Sequence, residues 1–227
     1  MTDSKQVTTL SGARRGFFAK TSPWLILAAT VIAAALRIWI GDVGWRDAVA
    51  VAAMLVIYPF GEWAIHVYVL HMKPFELRGR RVDPAAARGH REHHGAPNDL
   101  GLINLEPSEV AQLMLITDPL VVGVGALAVG LVFAAVPIGV VLTALLAAYV
   151  LVGIYEWTHF LIHTAYVPKS RYYRSIWRNH RLHHFKNEHF WHGITSTIGD
   201  RVLGTLPEQR EVERSPTARD LDQGFAG

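Results

Sequence analysis

Twelve histidines stand in this chain of 227 residues, and none precedes Glu62. Ten of them fall into four compact groups: His66 with His71, His90 with His93 and His94, His159 with His163, and His180 with His183 and His184. A lone histidine on an apolar face is usually a satisfied core residue, which is the reading given to His189 and His192. Four groups at helical spacing ask for another reading. On an α-helix, positions i, i+3 and i+4 share a face, so each His-x2-His-His group points its imidazoles one way, as do His159 and His163. His66 and His71 lie about 140° apart on an ideal helix and can share a face only across a bulge or a helix end. Ten neutral imidazoles exceed the needs of one ion, since a zinc site closes with four ligands. Two metals with about five ligands each is the economical count, and imidazole suits iron or zinc. Haem ligation would use one histidine from each of two helices and leave most of the ten unexplained. A carboxylate di-iron bundle needs two Glu-x-x-His motifs, and the sequence holds one, Glu156-Trp-Thr-His159.

The elements that must position these groups are apolar. With 51% hydrophobic and 18% charged residues the chain is not a disordered one. The absence of cysteine excludes disulfides, cysteine zinc fingers and cysteine-ligated iron–sulfur clusters. A bilayer core of about 30 Å takes roughly 20 apolar residues as a helix, and residues 23–40, 48–70, 113–136 and 138–164 come close to that length. Pro119 to Tyr155 contains no charged residue and is too long for one crossing, so it folds back at Pro137 and Gly139. The N-terminal segment holds four Lys and Arg, the loop Met72–Gln112 six, and the chain after His163 ten, whereas the link between spans one and two holds only Arg46. The positive-inside rule then places both termini and the middle loop in the cytoplasm. The basic balance is thereby a topology signal, and no nucleic-acid partner is expected. The expected fold class is all-α: an integral membrane four-helix bundle, residues 23–206, with a cytoplasmic helical cap carrying the metal site. Residues 1–22 are expected as a cytoplasmic tail and 207–227 as a mobile one.

Depth brings the four groups together. Spans two and four run outside to inside and end near residues 67 and 158, so His66, His71, His159 and His163 share one layer, with the two His-x2-His-His groups just beyond it. Glu62 and Glu156 precede His66 and His159 on the same helices, and each reads either as an acceptor for an imidazole N–H or as a polar contact within the bundle. Asp118 is expected as a helix cap and Arg37 as a side chain snorkelling to the outer surface.

The order H-x4-H, H-x2-HH, H-x3-H, H-x2-HH over four spans resembles the fatty acid hydroxylase and sterol desaturase superfamily of membrane non-haem di-iron enzymes. His183 to Thr205, HHFKNEHFWHGITSTIGDRVLGT, is similar to the end of the fatty acid 2-hydroxylase domain. The resemblance covers about Ala48 to Thr205 and implies that the ten grouped histidines are the metal ligands. It further implies two iron ions, with zinc possible in purified protein, O2 as co-substrate and a membrane lipid as substrate. No dinucleotide fingerprint is present, so reductant is expected from a separate electron-transfer protein. The expected activity is hydroxylation of a lipid acyl chain; a carotenoid or sterol hydroxylase or desaturase is the alternative within the superfamily. A membrane metal transporter would carry polar groups at mid-span, which the third and fourth spans lack.

Overall fold

In the computed structural model, which describes residues 4–221, the apolar runs are helices, and the strands among the described residues form one short pair. In chain order the helices are α1 (Leu10–Phe18), α2 (Ser22–Ile40), α3 (Trp45–Ile65), α4 (Ala85–Gly95), α5 (Pro107–Gln112), α6 (Asp118–Val132), α7 (Ile138–Ile162), α8 (Arg171–Phe185) and α9 (Ile198–Val202). Strands β1 (Phe75–Leu77) and β2 (Arg80–Val82) pair antiparallel around Arg78 and Gly79, both with positive φ, as a two-residue hairpin turn requires. π-helical turns at His66–Leu70 and Leu113–Thr117 extend α3 and join α5 to α6. Among the described residues, four stretches are therefore long and apolar enough to cross a membrane: Ser22–Ile40, Trp45–Leu70, Pro107–Val132 and Ile138–Ile162.

The third of these starts at Pro107, before the position expected from hydropathy. Its N-terminus is closed by a capping box in which the Glu109 carboxylate accepts from the Glu106 N–H at 2.8 Å. Asp118 lies inside a continuous helical path and caps nothing, because the π turn before it already supplies the helix entry.

The chain divides into two compact units. The first holds Phe18–Tyr58 and Glu106–Glu156, and its helices turn large apolar side chains outward, among them Ile32, Val56, Leu120 and Leu131. Such a surface suits lipid and not water. Arg37 does not snorkel. It is buried, its Nη2 donates to Asp47 at 2.7 Å, and its Nε donates to Asp47 at 3.0 Å and to Thr143 at 2.7 Å. A guanidinium among apolar helices is tolerated when a carboxylate and a hydroxyl satisfy it, and Asp47, at the start of α3, is within reach. Glu156 accepts from the Ser22 hydroxyl at 2.7 Å.

The second unit holds residues 4–17, Pro59–Leu105 and residues 157–221. Residues 1–22, expected as a tail, contain α1, whose Ala13 and Phe17 are core residues. Phe17 packs against Trp157 and Phe160 at ring distances of 5.2 and 5.6 Å, and the Ala165 N–H donates to the Ser4 carbonyl at 3.1 Å. Polar composition hid the apolar face of α1 formed by Ala13 and Phe17, with Val7 in the same core. Residues 207–221, expected as the start of a mobile tail, are likewise packed, with Val212, Ala218 and Leu221 buried; residues 222–227 lie outside the described residues.

Candidate metal centre

The second unit is built around imidazoles. The π turn after α3 resolves the awkward spacing of its first pair: the His71 N–H donates to the His66 carbonyl at 3.3 Å, and the two rings lie 5.0 Å apart. On α4, His90 and His94 share one side, while His93, about 60° to the other side of His90, is turned away from them. On α8 the same offset separates His180 and His184 from His183. The consequence is a sorting across the sequence groups. His66, His71, His90, His94 and His183 converge as one set, and His93, His159, His163, His180 and His184 as another. Within each set, one ring nitrogen per residue lies within 4.8 Å of all the others. The sets adjoin: the His94 and His184 rings are 4.1 Å apart.

Burial sets the protonation state. Among the histidines outside the apolar spans, desolvation holds His71, His90, His93, His163, His180, His183 and His184 well below the ordinary imidazole value and lowers His94 to about 4. These rings are therefore neutral near pH 7, the state in which imidazole binds metal. Backbone carbonyls then fix the tautomers, because a carbonyl can only accept. Nδ1 of His66 donates to the His192 carbonyl at 2.6 Å, His94 to Ala218 at 2.8 Å, His163 to Pro97 at 2.9 Å and His183 to Phe190 at 2.8 Å.

A neutral ring with its proton on Nδ1 has a bare lone pair on Nε2. Yet Nε2 of His183 lies 3.1 Å from Nε2 of His66 and 3.2 Å from Nε2 of His94. Three lone pairs facing one another repel unless a cation lies among them. Two ligands at right angles on an ion with metal–nitrogen bonds of about 2.1 Å would stand about 3.0 Å apart, close to these separations. In the second set, Nε2 of His163 lies 3.1 Å from those of His93 and His180, and Nε2 of His184 lies 3.0 Å from that of His180. In the first set, the buried Nε2 of His71 has no hydrogen-bond partner among the described residues. Donor type, neutrality and spacing thus fit two bound metal ions.

Glu62, one helical turn before His66, is turned toward a loop. Glu62 accepts from the N–H of Ile194 at 2.5 Å, from the N–H of Thr195 at 2.7 Å and from the Thr195 hydroxyl, so it grips the loop after the last histidine group and not an imidazole. Asp200 grips the same loop from the other side, accepting from the N–H groups of His192 at 2.9 Å and Gly193 at 2.8 Å and from the Thr205 hydroxyl at 2.6 Å. Between the carbonyls of Phe190 and His192, Trp191 is held at φ 60° with its ring buried, a left-handed geometry that a bulky residue adopts only under constraint. His192 is buried, 5.3 Å from the His66 ring, and its Nε2 bonds the His189 carbonyl at 3.1 Å; His189 is half-exposed beside Glu188. Neither belongs to the two sets. The orienting carbonyls escape sequence reasoning because main-chain groups carry no residue signature.

A profile for fatty acid hydroxylases matches residues 51–205. The chain is 28% identical over 200 residues to a dihydroceramide fatty acyl 2-hydroxylase of Arabidopsis thaliana, covering 84% of this chain and 79% of that protein. It is 28% identical over 149 residues to the human fatty acid 2-hydroxylase, of which it spans 37%. Among solved structures, the visible hydroxylase domain of full-length Scs7p shares the fold, with a TM-score of 0.61, 20% identity, and coverage of 86% of this chain and 68% of that one.

Proposed function

The chain belongs to the fatty acid hydroxylase family, and on that premise we propose that it is an O2-dependent, non-haem di-iron monooxygenase that hydroxylates the acyl chain of a membrane lipid. The observation that carries this reading is the pair of buried five-imidazole sets with lone pairs aimed inward. His66, His71, His90, His94 and His183 would hold one iron, and His93, His159, His163, His180 and His184 the other. Zinc binds such sites more tightly than iron and is the expected contaminant of purified protein. A bound iron pair supplies O2 activation, which side chains cannot provide for an unactivated C–H bond.

The protein's own residues prepare that chemistry. Burial keeps the imidazoles neutral, and the carbonyls of Pro97, Phe190, His192 and Ala218 hold four rings with Nε2 toward the metal, raising ligand basicity. Glu62 and Asp200 secure the loop carrying two of those carbonyls. Overall, one O2, two electrons and two protons convert C–H to C–OH with release of water. The electrons come from a separate protein on the cytoplasmic side, where the lysine and arginine distribution puts both termini and the metal site.

The relatives' names specify carbon 2, and depth favours the same position. His66 and His159 fall within the last residues of their spans, so a lipid anchored by its headgroup presents carbons near its carboxyl end, while distal carbons lie about 15 Å deeper. Lipid mass spectrometry of cells with and without the gene tests the reading. An acyl chain hydroxylated at carbon 2 that disappears with the gene is expected; a lipid profile that does not depend on the gene contradicts it.

A further inference from the structure

Beyond the stretch matched by the family profile, which ends at residue 205, the chain returns to the histidines. The Ala218 carbonyl is the acceptor for His94 Nδ1. Its segment is fastened to the ends of both helices that carry a His-x2-His-His group. At the end of α4, Arg219 Nη2 donates to the Gly95 carbonyl at 2.9 Å. Just after α8, the Ser215 N–H donates to the Lys186 carbonyl at 2.8 Å, and the fully buried Glu188 accepts from the hydroxyls of Ser215 at 3.0 Å and Thr217 at 2.5 Å. Val212, Ala218 and Leu221 bury their side chains alongside.

We propose that residues 212–221 are a strap that ties α4 to α8 and positions His94, so that the strap selectively secures the metal of the His66, His71, His90, His94 and His183 set. The selectivity follows from the partners. His94 is the ring that the strap orients and it belongs to that set alone, whereas in the other set His163 is oriented by Pro97, in the loop after α4. This proposal rests on the metal-binding reading above. Ser215 and Thr217 are positioning residues, since they act through the Ala218 carbonyl.

The test is a chelator-release experiment on the zinc-loaded, detergent-purified full chain. The unaltered chain should hold two zinc ions. In the Ser215→Ala, Thr217→Ala double variant, one ion should leave to EDTA about 10–100-fold faster while the other keeps its rate, the usual scale for loss of an outer partner of a metal-bound histidine. A chain ending after Glu211 should retain one ion, and a chain ending after Leu221 should behave as the full one. Wild-type release of both ions from the double variant would overturn the strap, and so would equal loosening of both, which marks a general structural effect. A full chain that binds no metal would overturn the underlying reading as well, an outcome distinct from two ions bound without regard to the strap.

Discussion

Replacing Gly193 by alanine should damage one metal set from a distance. A Cβ at this position would lie 1.9 Å from the Ser196 carbonyl oxygen and 3.0 Å from an Asp200 carboxylate oxygen. The nearest obstacle is backbone, so the turn itself must open by at least about 1.1 Å before the contact reaches the 3.0 Å below which real Cβ atoms are not found. The neighbouring His192 carbonyl sits 2.6 Å from His66 Nδ1 and its N–H is fastened to Asp200. A displacement of that size takes the carbonyl beyond good hydrogen-bond distance, leaving the His66 ring free to turn. Loss of such an outer partner costs about 10–100-fold in metal affinity, or about 1.4–2.8 kcal/mol. The assay is competition between the protein and a chelator of known affinity, with Gly125→Ala as control because nothing lies within 4 Å of a Cβ built there. Weaker binding of one of two ions in the Gly193 variant, with the control unchanged, is expected. Wild-type affinity for both ions in Gly193→Ala would refute the chain of reasoning from loop to carbonyl to ring.

His183→Ala and His159→Ala should each abolish product and leave one tightly bound metal, whereas His192→Ala should keep substantial activity; equal loss in all three, measured by hydroxylated lipid, would extend the ligand set past His184. In metal-stripped protein, burial has pushed His71, His90, His93, His94, His163, His180, His183 and His184 below their unfolded values, with His94 near 4, so the unfolded chain binds more protons as pH falls below about 6.5. Stability should therefore fall as pH drops below about 6.5, for His94 down to about 4, and be flat above, with each group contributing up to about 1.4 kcal/mol per pH unit, and melting in detergent at pH 8 and 5.5 checks the sign. Asp47→Asn should lower the melting temperature by leaving the buried Arg37 guanidinium without its carboxylate; unchanged melting would mean that the guanidinium reaches water.

The spans and the convergence of the ten histidines were legible because bilayer thickness and helical periodicity leave a mark at the level of residue type. Even the π turn was foreshadowed, since His66 and His71 could share a face only across a bulge or helix end. Division of each His-x2-His-His group between two sets depends on how α4 and α8 face each other, which spacing within one helix does not contain. Arg37 looked like a snorkelling residue because its partners, Asp47 and Thr143, lie 10 and 106 positions away. Glu62 was legible as a buried carboxylate near the site, but its partners are main-chain N–H groups of a distant loop. The two terminal segments looked like tails because their polar composition outweighs a few buried residues such as Phe17 and Ala218, whose value lies in where they pack.

An isotope experiment follows the oxygen itself: cells expressing either the unaltered chain or His183→Ala are grown under 18O2, and the acyl chains are fragmented in the mass spectrometer. A single 18O at carbon 2 is expected with the unaltered chain and none with the variant. Hydroxylated chains with oxygen from water, or labelled chains produced equally by His183→Ala, would contradict the proposed function.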